Sequence, residues 1–455
     1  MLEERVDPQI FREYDIRAIV GKELTLEEVV NLGKAMGTYL GRQGKKTISL
    51  GRDGRLSSGP FRERLLDGLL STGTQVIDIG VCPTPLLYFS IRHLKADGGI
   101  MITASHNPPE YNGFKICSGP DTIFGDEIKK IAQIAKEGTF LSGKGEVREE
   151  DVLPAYQEFV FNDIQLARPL RVGLDGGNGT GGWLALPIIK QLGCTVYDLY
   201  CEVDGLFPHH EPDPTVPKNL TELIDLVIRE KLDIGLAYDG DGDRLGVIDH
   251  EGNIIWGDQL LILFARDILQ SRPGSIFLGE VKCSQTFYDD IPRQGGQAIM
   301  WKTGHSLIKQ KMKEVQAVLA GEMSGHIFFA DRYFGFDDAV YASLRLLEIL
   351  SRSGKKIPEL LAGVPKTCST PEIRVETSED HKFQLVEAAK NELARRHPII
   401  DVDGVRVLYE DGWGLIRASN TQPVLVLRFE AQTPHRLTEI QNEIEEILLR
   451  MQNKL

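Results

Sequence analysis

The segment TISLGRDGRLSSGPFRERLLDGLLSTGTQVIDIG, residues 47–80, has the order of a strand, a glycine-rich loop, a helix and a second strand. The same order returns in RVGLDGGNGTGGWLALPIIKQLGCTVYDLY, residues 171–200, and more weakly in SIFLGEVKCSQTFYDDIPRQGGQAIMWKTG, residues 275–304. Alternation of strands and helices is typical of α/β domains with a mixed or mostly parallel sheet. The repeats therefore predict three related α/β domains.

The chain has 455 residues, which is too long for one ordinary hydrophobic core, so we expect several domains. After Pro365 the pattern changes to strand, helix, strand, strand, helix, which indicates a C-terminal α+β domain of another kind. The predicted fold is α/β, with three related mixed-sheet domains and the C-terminal domain around a central cleft. The expected domains are 1–150, 151–253, 254–365 and 366–455.

Composition excludes several classes of protein. The formal net charge is −14 and no basic stripe is present, which argues against nucleic-acid binding. The six cysteines show neither C-x-x-C nor metal-ligand spacing, so we expect reduced, mostly buried thiols. The N-terminus is charged from its third residue and no apolar run approaches the length of a membrane span. These features predict a cytoplasmic enzyme that binds no membrane. They do not determine the oligomeric state, for which we expect a monomer, with a dimer as the alternative.

A serine that needs activation lies in TASHNPPEYNGFK, residues 103–115. Ser105 is in a loop between an apolar run and Lys115, with two prolines close behind it. A serine is a poor nucleophile unless a base, a metal or a covalent charge activates it. Taken alone, Ser105 would be interpreted as a loop serine that bonds its own backbone before a turn. The activating group must come from elsewhere in the chain.

The segment DGDGDR, residues 239–244, follows the apolar run LDIGLAY. This order predicts a buried strand that ends in a glycine-loosened turn with three converging carboxylates. These carboxylates belong to Asp239, Asp241 and Asp243. They repel one another unless a cation lies among them, and hard oxygen ligands of this kind suit Mg²⁺.

Two other interpretations of the acidic segment are weaker. An EF-hand calcium loop needs glycine and glutamate at the positions where this chain has Arg244 and His250. A solvated acidic turn is the remaining alternative, although a preceding strand and a following arginine speak against it. If a metal does bind here, a phosphate ester on Ser105 would bring about two negative charges and three acceptor oxygens to it.

Two further loops carry clusters of polar groups. In GEMSGH, residues 321–326, Glu322 and Ser324 are two residues apart in a glycine-flanked loop, so both can point the same way. In RASNTQP, residues 417–423, a guanidinium, short polar side chains and backbone amides precede an apolar strand, and these groups can bind phosphate. They belong to Arg417, Ser419, Asn420 and Thr421. An ordinary turn between strands is the alternative for the second loop.

Taken together, the four motifs resemble those of the α-D-phosphohexomutase family, most closely its bacterial phosphomannomutase/phosphoglucomutase branch. They follow the family's order and span nearly the whole chain. FREYDIRAIV at 11–20, FPHHEPDP at 207–214 and KTGHSLIK at 302–309 are also similar to family segments. One residue departs from the pattern, because Ala18 stands where the family usually has glycine. This would matter only if the backbone needs a positive φ there.

The resemblance implies a reversible conversion of the 6-phosphates and 1-phosphates of mannose and glucose. It implies Mg²⁺, a phosphoserine at Ser105 and a hexose 1,6-bisphosphate as intermediate. The implied metal ligands are Ser105, Asp239, Asp241 and Asp243. The implied catalytic residues are Ser105, Lys115, Arg244 and His326, while the group that moves protons stays open among Lys115, His326, His305 and Arg17. The implied substrate-binding residues are Tyr14, Arg17, Lys282, His305, Glu322, Ser324, Arg417, Ser419, Asn420 and Thr421.

Other functions remain as alternatives at this point. A phosphoglucosamine mutase shares the serine and metal motifs, but its phosphate loop has Ser-Gly-Thr where this chain has Ser419-Asn420-Thr421. A phosphatase would use the same serine chemistry and let water accept the phosphate. A non-catalytic sugar-phosphate sensor is the third alternative, because a fold alone does not establish activity. Such a sensor is expected to have lost Ser105 or one of the aspartates, and all four are present.

Overall fold

The computed structural model describes residues 7–378, 381–420 and 423–452. Contacts between residues divide the chain into two compact units. The first comprises the chain up to residue 257 together with Ser324–Leu360. The second comprises Asp258–Met323 and the chain from Leu361 onward.

The N-terminal half of the first unit is a mixed sheet flanked by helices. Its elements are a 3₁₀ helix (Pro8–Ile10), β1 (Ile16–Ile19), α1 (Leu26–Arg42), β2 (Thr47–Arg52), α2 (Ser58–Ser71), β3 (Gln75–Val81), α3 (Thr84–His93), β4 (Gly98–Ile102), β5 (Tyr111–Ser118), β6 (Asp121–Thr122), α4 (Asp126–Glu137) and β7 (Val147–Glu149). The strand order is β1-β5-β4-β2-β3-β7, with β6 beside β5. β2 is parallel to β3 and β4, whereas β5 is antiparallel to β4. The first repeat therefore forms the parallel β2–α2–β3 unit that its sequence predicts.

A second sheet of five strands follows in the same unit. Its elements are α5 (Leu153–Asp163), β8 (Arg171–Asp175), α6 (Thr180–Gln191), β9 (Thr195–Leu199), a 3₁₀ helix (Pro217–Leu220), α7 (Thr221–Glu230), β10 (Ile234–Tyr238), β11 (Leu245–Asp249) and β12 (Ile254–Ile255). The strand order is β12-β11-β10-β8-β9. β8 is parallel to β9 and β10, and β10 forms an antiparallel hairpin with β11. The turn of this hairpin is the acidic segment 239–244.

The third repeat lies in the second unit. Its elements are α8 (Gly257–Ser271), β13 (Ile276–Glu280), α9 (Gln285–Arg293), β14 (Gln297–Trp301), α10 (His305–Val315) and β15 (Leu319–Gly321). β13 is parallel to β14 and β15, so this repeat is also a parallel β–α–β unit. The chain then returns to the first unit with β16 (Ile327–Phe329), α11 (Ala339–Ser353) and α12 (Ile357–Leu360).

The C-terminal part of the second unit is an antiparallel sheet with two helices. Its elements are β17 (Cys368–Ser369), β18 (Ile373–Glu376), α13 (Lys382–Leu393), β19 (Ile399–Ile400), β20 (Val405–Tyr409), β21 (Gly412–Ala418), β22 (Val424–Ala431) and α14 (Pro434–Gln452). The strand order is β17-β22-β21-β20-β19, with β18 beside β22. The prediction of three strands here was wrong because the described residues form six. Two of the missed strands have only two residues each, which is too short for a hydrophobic pattern to develop.

Several smaller expectations are settled by the fold. All six cysteines are free and five are buried, as predicted. Ala18 lies in β1 opposite Asn112, in extended backbone that needs no glycine. Within the described residues, no helix combines the length and the apolar character needed to cross a membrane.

Candidate active site

Ser105 follows β4, whose five residues are all buried, in the loop that leads to β5. Its side chain is buried, and its φ of 51° lies in the left-handed region that a residue with a Cβ rarely adopts. The Ser105 hydroxyl donates a hydrogen bond of 2.7 Å to Asp239 Oδ2 and lies 3.0 Å from His106 Nδ1. The structure thus brings the serine into direct contact with the acidic turn 134 residues further along the chain.

The acidic turn is fully enclosed. Asp239, Asp241 and Asp243 each have 0% relative exposure, and their oxygens lie within 4.8 Å of one another. Asp239 Oδ1 accepts the backbone N–H groups of Asp243 and Arg244, which fixes the curl of the turn. A Cβ on Gly240 would lie 2.4 Å from the Ser105 carbonyl oxygen, so only glycine lets the two loops meet this closely.

Lys115 lies between two of these carboxylates. Its ammonium donates to Asp241 Oδ2 at 2.6 Å and to Asp243 Oδ2 at 2.5 Å, and the Thr84 hydroxyl donates to Asp241 at 2.5 Å. Burial opposes the charged form of the lysine, but Asp241 and Asp243 raise the pKa of Lys115. Burial, together with the charges of Asp243 and Asp241, raises the pKa of Asp239 well above its usual range. One ammonium therefore does not balance three buried carboxylates.

The donor set fits a magnesium ion. Asp241 Oδ1 and Asp243 Oδ1 are buried and accept no hydrogen bond from the residues that the structure describes. Buried acceptor oxygens are rarely left without a hydrogen-bond donor. Negatively charged oxygens that are not balanced by nearby positive charge are suitable ligands for Mg²⁺. The three aspartates and the Ser105 hydroxyl supply four such oxygens in one place.

His326 links the acidic turn to Arg244. Arg244 Nε donates to His326 Nε2 at 3.0 Å, and His326 Nδ1 lies 3.1 Å from Asp337 Oδ2 and 3.6 Å from Asp243 Oδ1. The Arg244 contact favours the tautomer with its proton on Nδ1, facing Asp337. Burial opposes the imidazolium, but Asp243 and Asp337 raise the pKa of His326. Asp243, His326 and Asp337 also form a second group of metal-ligand type beside the first.

Two predicted residues come from the N-terminal segment of the first unit. Arg17, in β1, donates to Asn107 Oδ1 in the serine loop and pairs with Asp15 at 2.5 Å. Tyr14 is half-buried in the turn before β1. Arg17 therefore lies at the loop that carries Ser105.

In the second unit, the turn at 302–305 collects another set of predicted residues. The N–H of Gly304 donates to Glu322 Oε1 at 2.6 Å. Asp403 Oδ2 accepts from the Thr303 N–H at 3.1 Å and from Arg417 Nε at 3.0 Å. Glu322 and Arg417 are thereby held at the same turn, although 95 residues separate them in the chain.

Lys282 belongs to the same network. Its ammonium donates to Glu372 at 2.5 Å and lies 3.5 Å from Glu280, which accepts the Thr303 hydroxyl at 2.5 Å. Burial raises the pKa of Glu280 to about 7, with Lys282 opposing and Glu322 adding to the shift. Lys282 lowers the pKa of Glu372 to about 2, against the effect of burial.

The remaining predicted residues lie at the ends of elements. His305 is the first residue of α10, and Ser419 is buried directly after β21. Asn420 is half-buried next to Ser419, while Thr421 lies outside the described residues. Ser324 is half-buried in the loop that precedes β16 and belongs to the first unit.

Sequence reasoning did not identify several residues of these networks. They are Arg55, Thr84 and Asp337 in the first unit, and Glu280 and Asp403 in the second. Arg55, Thr84 and Glu280 stand at or just after the ends of predicted strands, where the side chains of a parallel sheet form sites, so this rule would have found them. Asp337 and Asp403 carry no such local signal.

The chain matches one family of known proteins in four successive segments. Three segments match the family models described as "Phosphoglucomutase/phosphomannomutase, alpha/beta/alpha domain" I, II and III. These segments are residues 8–142, 154–252 and 256–368, respectively. The description of the C-terminal domain matches residues 372–447. The chain belongs to the phosphoglucomutase/phosphomannomutase family. The four-domain α/β fold of this family is therefore the fold of this chain.

Individual members of the family agree over nearly the full length. A phosphomannomutase/phosphoglucomutase of Pseudomonas aeruginosa is 48% identical over 432 residues, which cover 95% of this chain and 93% of that protein. A phosphoglucomutase of Neisseria gonorrhoeae is 46% identical over 444 residues, which cover 96% of each chain. The crystal structure of a phosphoglucomutase/phosphomannomutase family protein from Burkholderia thailandensis has a TM-score of 0.93 and 40% identity, and covers 98% of each chain.

Proposed function

We propose that this family member is a mutase that interconverts the 6-phosphates and 1-phosphates of mannose and glucose. The observation that carries the proposal is the hydrogen bond from Ser105 to Asp239, which joins a nucleophile to an acidic cation site. A relative named for both activities is 48% identical to this chain, and a relative named for the glucose activity is 46% identical. The enzyme is an isomerase that acts by phosphoryl transfer.

The first unit supplies the reacting groups in this proposal. Ser105 carries the phosphate that is transferred to a sugar hydroxyl, giving a hexose 1,6-bisphosphate, and it then accepts the other phosphate back. Mg²⁺, held by the three aspartates and Ser105, would neutralise charge on the phosphate that moves. Lys115 and Arg244 would hold positive charge beside the same oxygens, and His326 would move a proton at Nδ1 or Nε2. Catalysis of this kind consists mainly of positioning and charge neutralisation.

The second unit supplies most of the groups that hold the sugar phosphate. Arg417, Ser419, Asn420 and Thr421 would bind the phosphate that does not react, because a guanidinium and short polar groups suit its oxygens. Glu322 and Ser324 would accept and donate hydrogen bonds to sugar hydroxyls. The other proposed substrate-binding residues are Tyr14, Arg17, Lys282 and His305.

The alternative functions are not favoured. The relatives at 48% and 46% identity are named for mannose and glucose phosphates, and neither name mentions a glucosamine phosphate. A sensor that has lost catalysis does not need the buried serine and three buried aspartates that this chain has kept. We further propose that the enzyme acts in the cytoplasm and that its four domains are 1–150, 151–253, 254–365 and 366–455.

Mass spectrometry combined with activity assays tests the proposal. We expect the purified enzyme to carry phosphate on Ser105 and to convert glucose 1-phosphate and mannose 1-phosphate into their 6-phosphates in the presence of Mg²⁺. Ser105→Ala should lose the phosphate and lower kcat by roughly 10⁴-fold or more. Ser118→Ala is the matched control, because Ser118 ends β5 and its hydroxyl contacts only the surface residue Gln43 among the partners described. Release of inorganic phosphate without isomerisation would identify a phosphatase instead.

A further inference from the structure

Arg55 lies in the turn after β2 and is 2% exposed. Its guanidinium binds the backbone of the loop that carries Ser105. Nη2 donates to the carbonyl oxygens of Ser105 at 2.8 Å and Asn107 at 2.6 Å. Nη1 donates to the carbonyl oxygens of Pro108 at 2.6 Å and Tyr111 at 3.1 Å. Nε donates to Asp53 Oδ2 at 3.0 Å, so all five N–H groups of the side chain are used.

The surroundings of Arg55 hold the guanidinium in one orientation. Asp53 Oδ1 accepts the Arg55 backbone N–H at 3.1 Å and the Ser58 hydroxyl at 2.6 Å. The ring of Phe207 lies 5.0 Å from the guanidinium carbon, at a cation–π distance. A charged, planar donor is thus held in a fixed orientation beside the serine loop.

The serine loop needs such a donor. Ser105 has a positive φ, which a residue with a Cβ adopts only when its surroundings impose it. The Ser105 carbonyl oxygen lies in a buried residue, and buried carbonyl groups must find donors. The Pro108 carbonyl oxygen also accepts the Tyr111 N–H at 3.1 Å, so Arg55 adds to the bonds that shape this loop. A lysine could not replace the arginine here, because one ammonium with three donors does not match four carbonyls in the plane of a guanidinium.

We infer that Arg55 is a positioning residue for phosphoryl transfer, which holds the Ser105 peptide in the left-handed conformation that aims its hydroxyl at Asp239. The inference rests on the proposed mutase function and adds to it the element that sets the nucleophile's orientation. Arg55 reaches only the backbone of the loop, so its effect passes through the position of Ser105. Loss of this control should lower turnover while leaving the groups that bind the sugar phosphate in place.

The test compares Arg55→Lys with Arg345→Lys. Arg345 is an equally buried arginine of the same unit, but it donates to both oxygens of Asp331 at 2.8 Å and packs on Phe329. We expect Arg55→Lys to lower kcat about 100-fold with little change in KM, since a displacement of about 1 Å has an effect of this size. Amide hydrogen exchange in residues 105–111 should become faster. Arg345→Lys should change neither kcat nor the exchange of this loop, even if its thermal stability falls.

Each outcome decides one of the two proposals. A wild-type enzyme without mutase activity would overturn the proposed function, while faster exchange at 105–111 in Arg55→Lys would still support the positioning role. Wild-type kcat and unchanged exchange in a folded Arg55→Lys variant would overturn the inference. If the Arg55→Lys variant does not fold, Asp53→Asn provides the test of the positioning role. This milder change frees Nε and should give a smaller loss of kcat with the same faster exchange, and an unchanged kcat would count against the inference.

Discussion

Lys115 places one ammonium between two carboxylates that have no access to solvent. Removing it should leave the negative charges of Asp241 and Asp243 uncompensated. We expect Lys115→Met to lower the free energy of unfolding by about 3–5 kcal/mol in a chelator, as for other broken buried ion pairs. The loss should be clearly smaller in excess Mg²⁺, because the ion supplies positive charge at the same oxygens. Urea unfolding under both conditions measures this, and an equal loss in both would argue against a cation at this turn.

The proposed metal ligands can be tested against a neighbouring aspartate. Asp243→Asn should weaken Mg²⁺ binding by at least about tenfold, because it removes both a ligand charge and a buried oxygen. Asp249→Asn is the matched control. Asp249 is also buried and ends the next strand, but its carboxylate accepts hydrogen bonds from Glu251 and Asn253 within its own turn. Isothermal titration calorimetry should show normal Mg²⁺ affinity for Asp249→Asn, and equal losses in the two variants would contradict the assignment.

At the scale of elements, α1 and α2 touch through two glycines. A Cβ on Gly68 would lie 2.3 Å from the Val30 carbonyl oxygen and 2.8 Å from the Gly33 Cα. We therefore expect Gly68→Ala to destabilise the protein by about 1–3 kcal/mol, although alanine favours helices. Gly59→Ala in the same helix meets no atom within 4 Å and should stabilise it by up to about 1 kcal/mol. Thermal unfolding of both variants measures the difference, and a stabilised Gly68→Ala variant would show that the helices can separate at no cost.

The loop 207–214 supports the acidic turn, since Pro212 O accepts the Gly240 N–H at 3.2 Å. His210 anchors this loop, with Nε2 3.1 Å from Asp175 Oδ2 and Nδ1 2.8 Å from the Glu211 carbonyl oxygen. Both ring nitrogens thus face acceptors. Burial disfavours the protonated imidazole, but Asp175 raises the pKa of His210 above its usual value of about 6.5. Glu222 makes a smaller contribution in the same direction.

A raised pKa in the folded state gives this anchor a defined pH dependence. The contribution of His210 to stability should be complete below about pH 6.5 and should be lost as the pH rises through the higher pKa of the folded state. The difference in unfolding free energy between wild type and His210→Asn should therefore shrink from about pH 6 to about pH 9. In an Asp175→Asn background the same substitution should show no such change with pH. A difference that grows with pH would contradict the assigned charge.

Some of these elements follow from the sequence and others do not. The three β–α–β repeats were predicted because glycine loops and apolar runs are local signals, and the strand before Asp239 was predicted for the same reason. The contact between Ser105 and Asp239 followed only from the chemistry that the two motifs need together. Asp403 was missed because its partners are an N–H group and a guanidinium of distant segments, which leave no pattern in the sequence. Arg55 stands just after a predicted strand, but its pairing with carbonyl oxygens of a distant loop could not be predicted from the sequence.

At the scale of the whole molecule, the proposed third domain, residues 254–365, contributes to both compact units. Its residues 258–323 belong to one unit with the chain from Leu361 onward, and so pack with the proposed C-terminal domain. The reason is visible at Arg406, a buried side chain that donates to the carbonyl oxygens of Val281 at 2.6 Å and Cys283 at 2.8 Å. Trp413 and Leu415 pack with Val281 in one hydrophobic cluster. Such contacts between distant segments are invisible to composition and periodicity.

A fragment of residues 366–455 would show how much of the burial of Trp413 comes from the fragment itself and how much comes from Val281. Its own core contains Leu385, Leu427 and Ile444, so we expect it to fold alone. Of the four tryptophans it keeps only Trp413, which is 1% exposed in the full chain, and it loses Val281. Acrylamide should therefore quench Trp413 more strongly in the fragment than in a full chain whose other three tryptophans are replaced by phenylalanine. Equal quenching would mean that the fragment shields Trp413 by itself, through the Arg406 guanidinium 3.7 Å from its ring. An unfolded fragment would place the domain boundary elsewhere than residue 366, because an independent domain must fold without its neighbour.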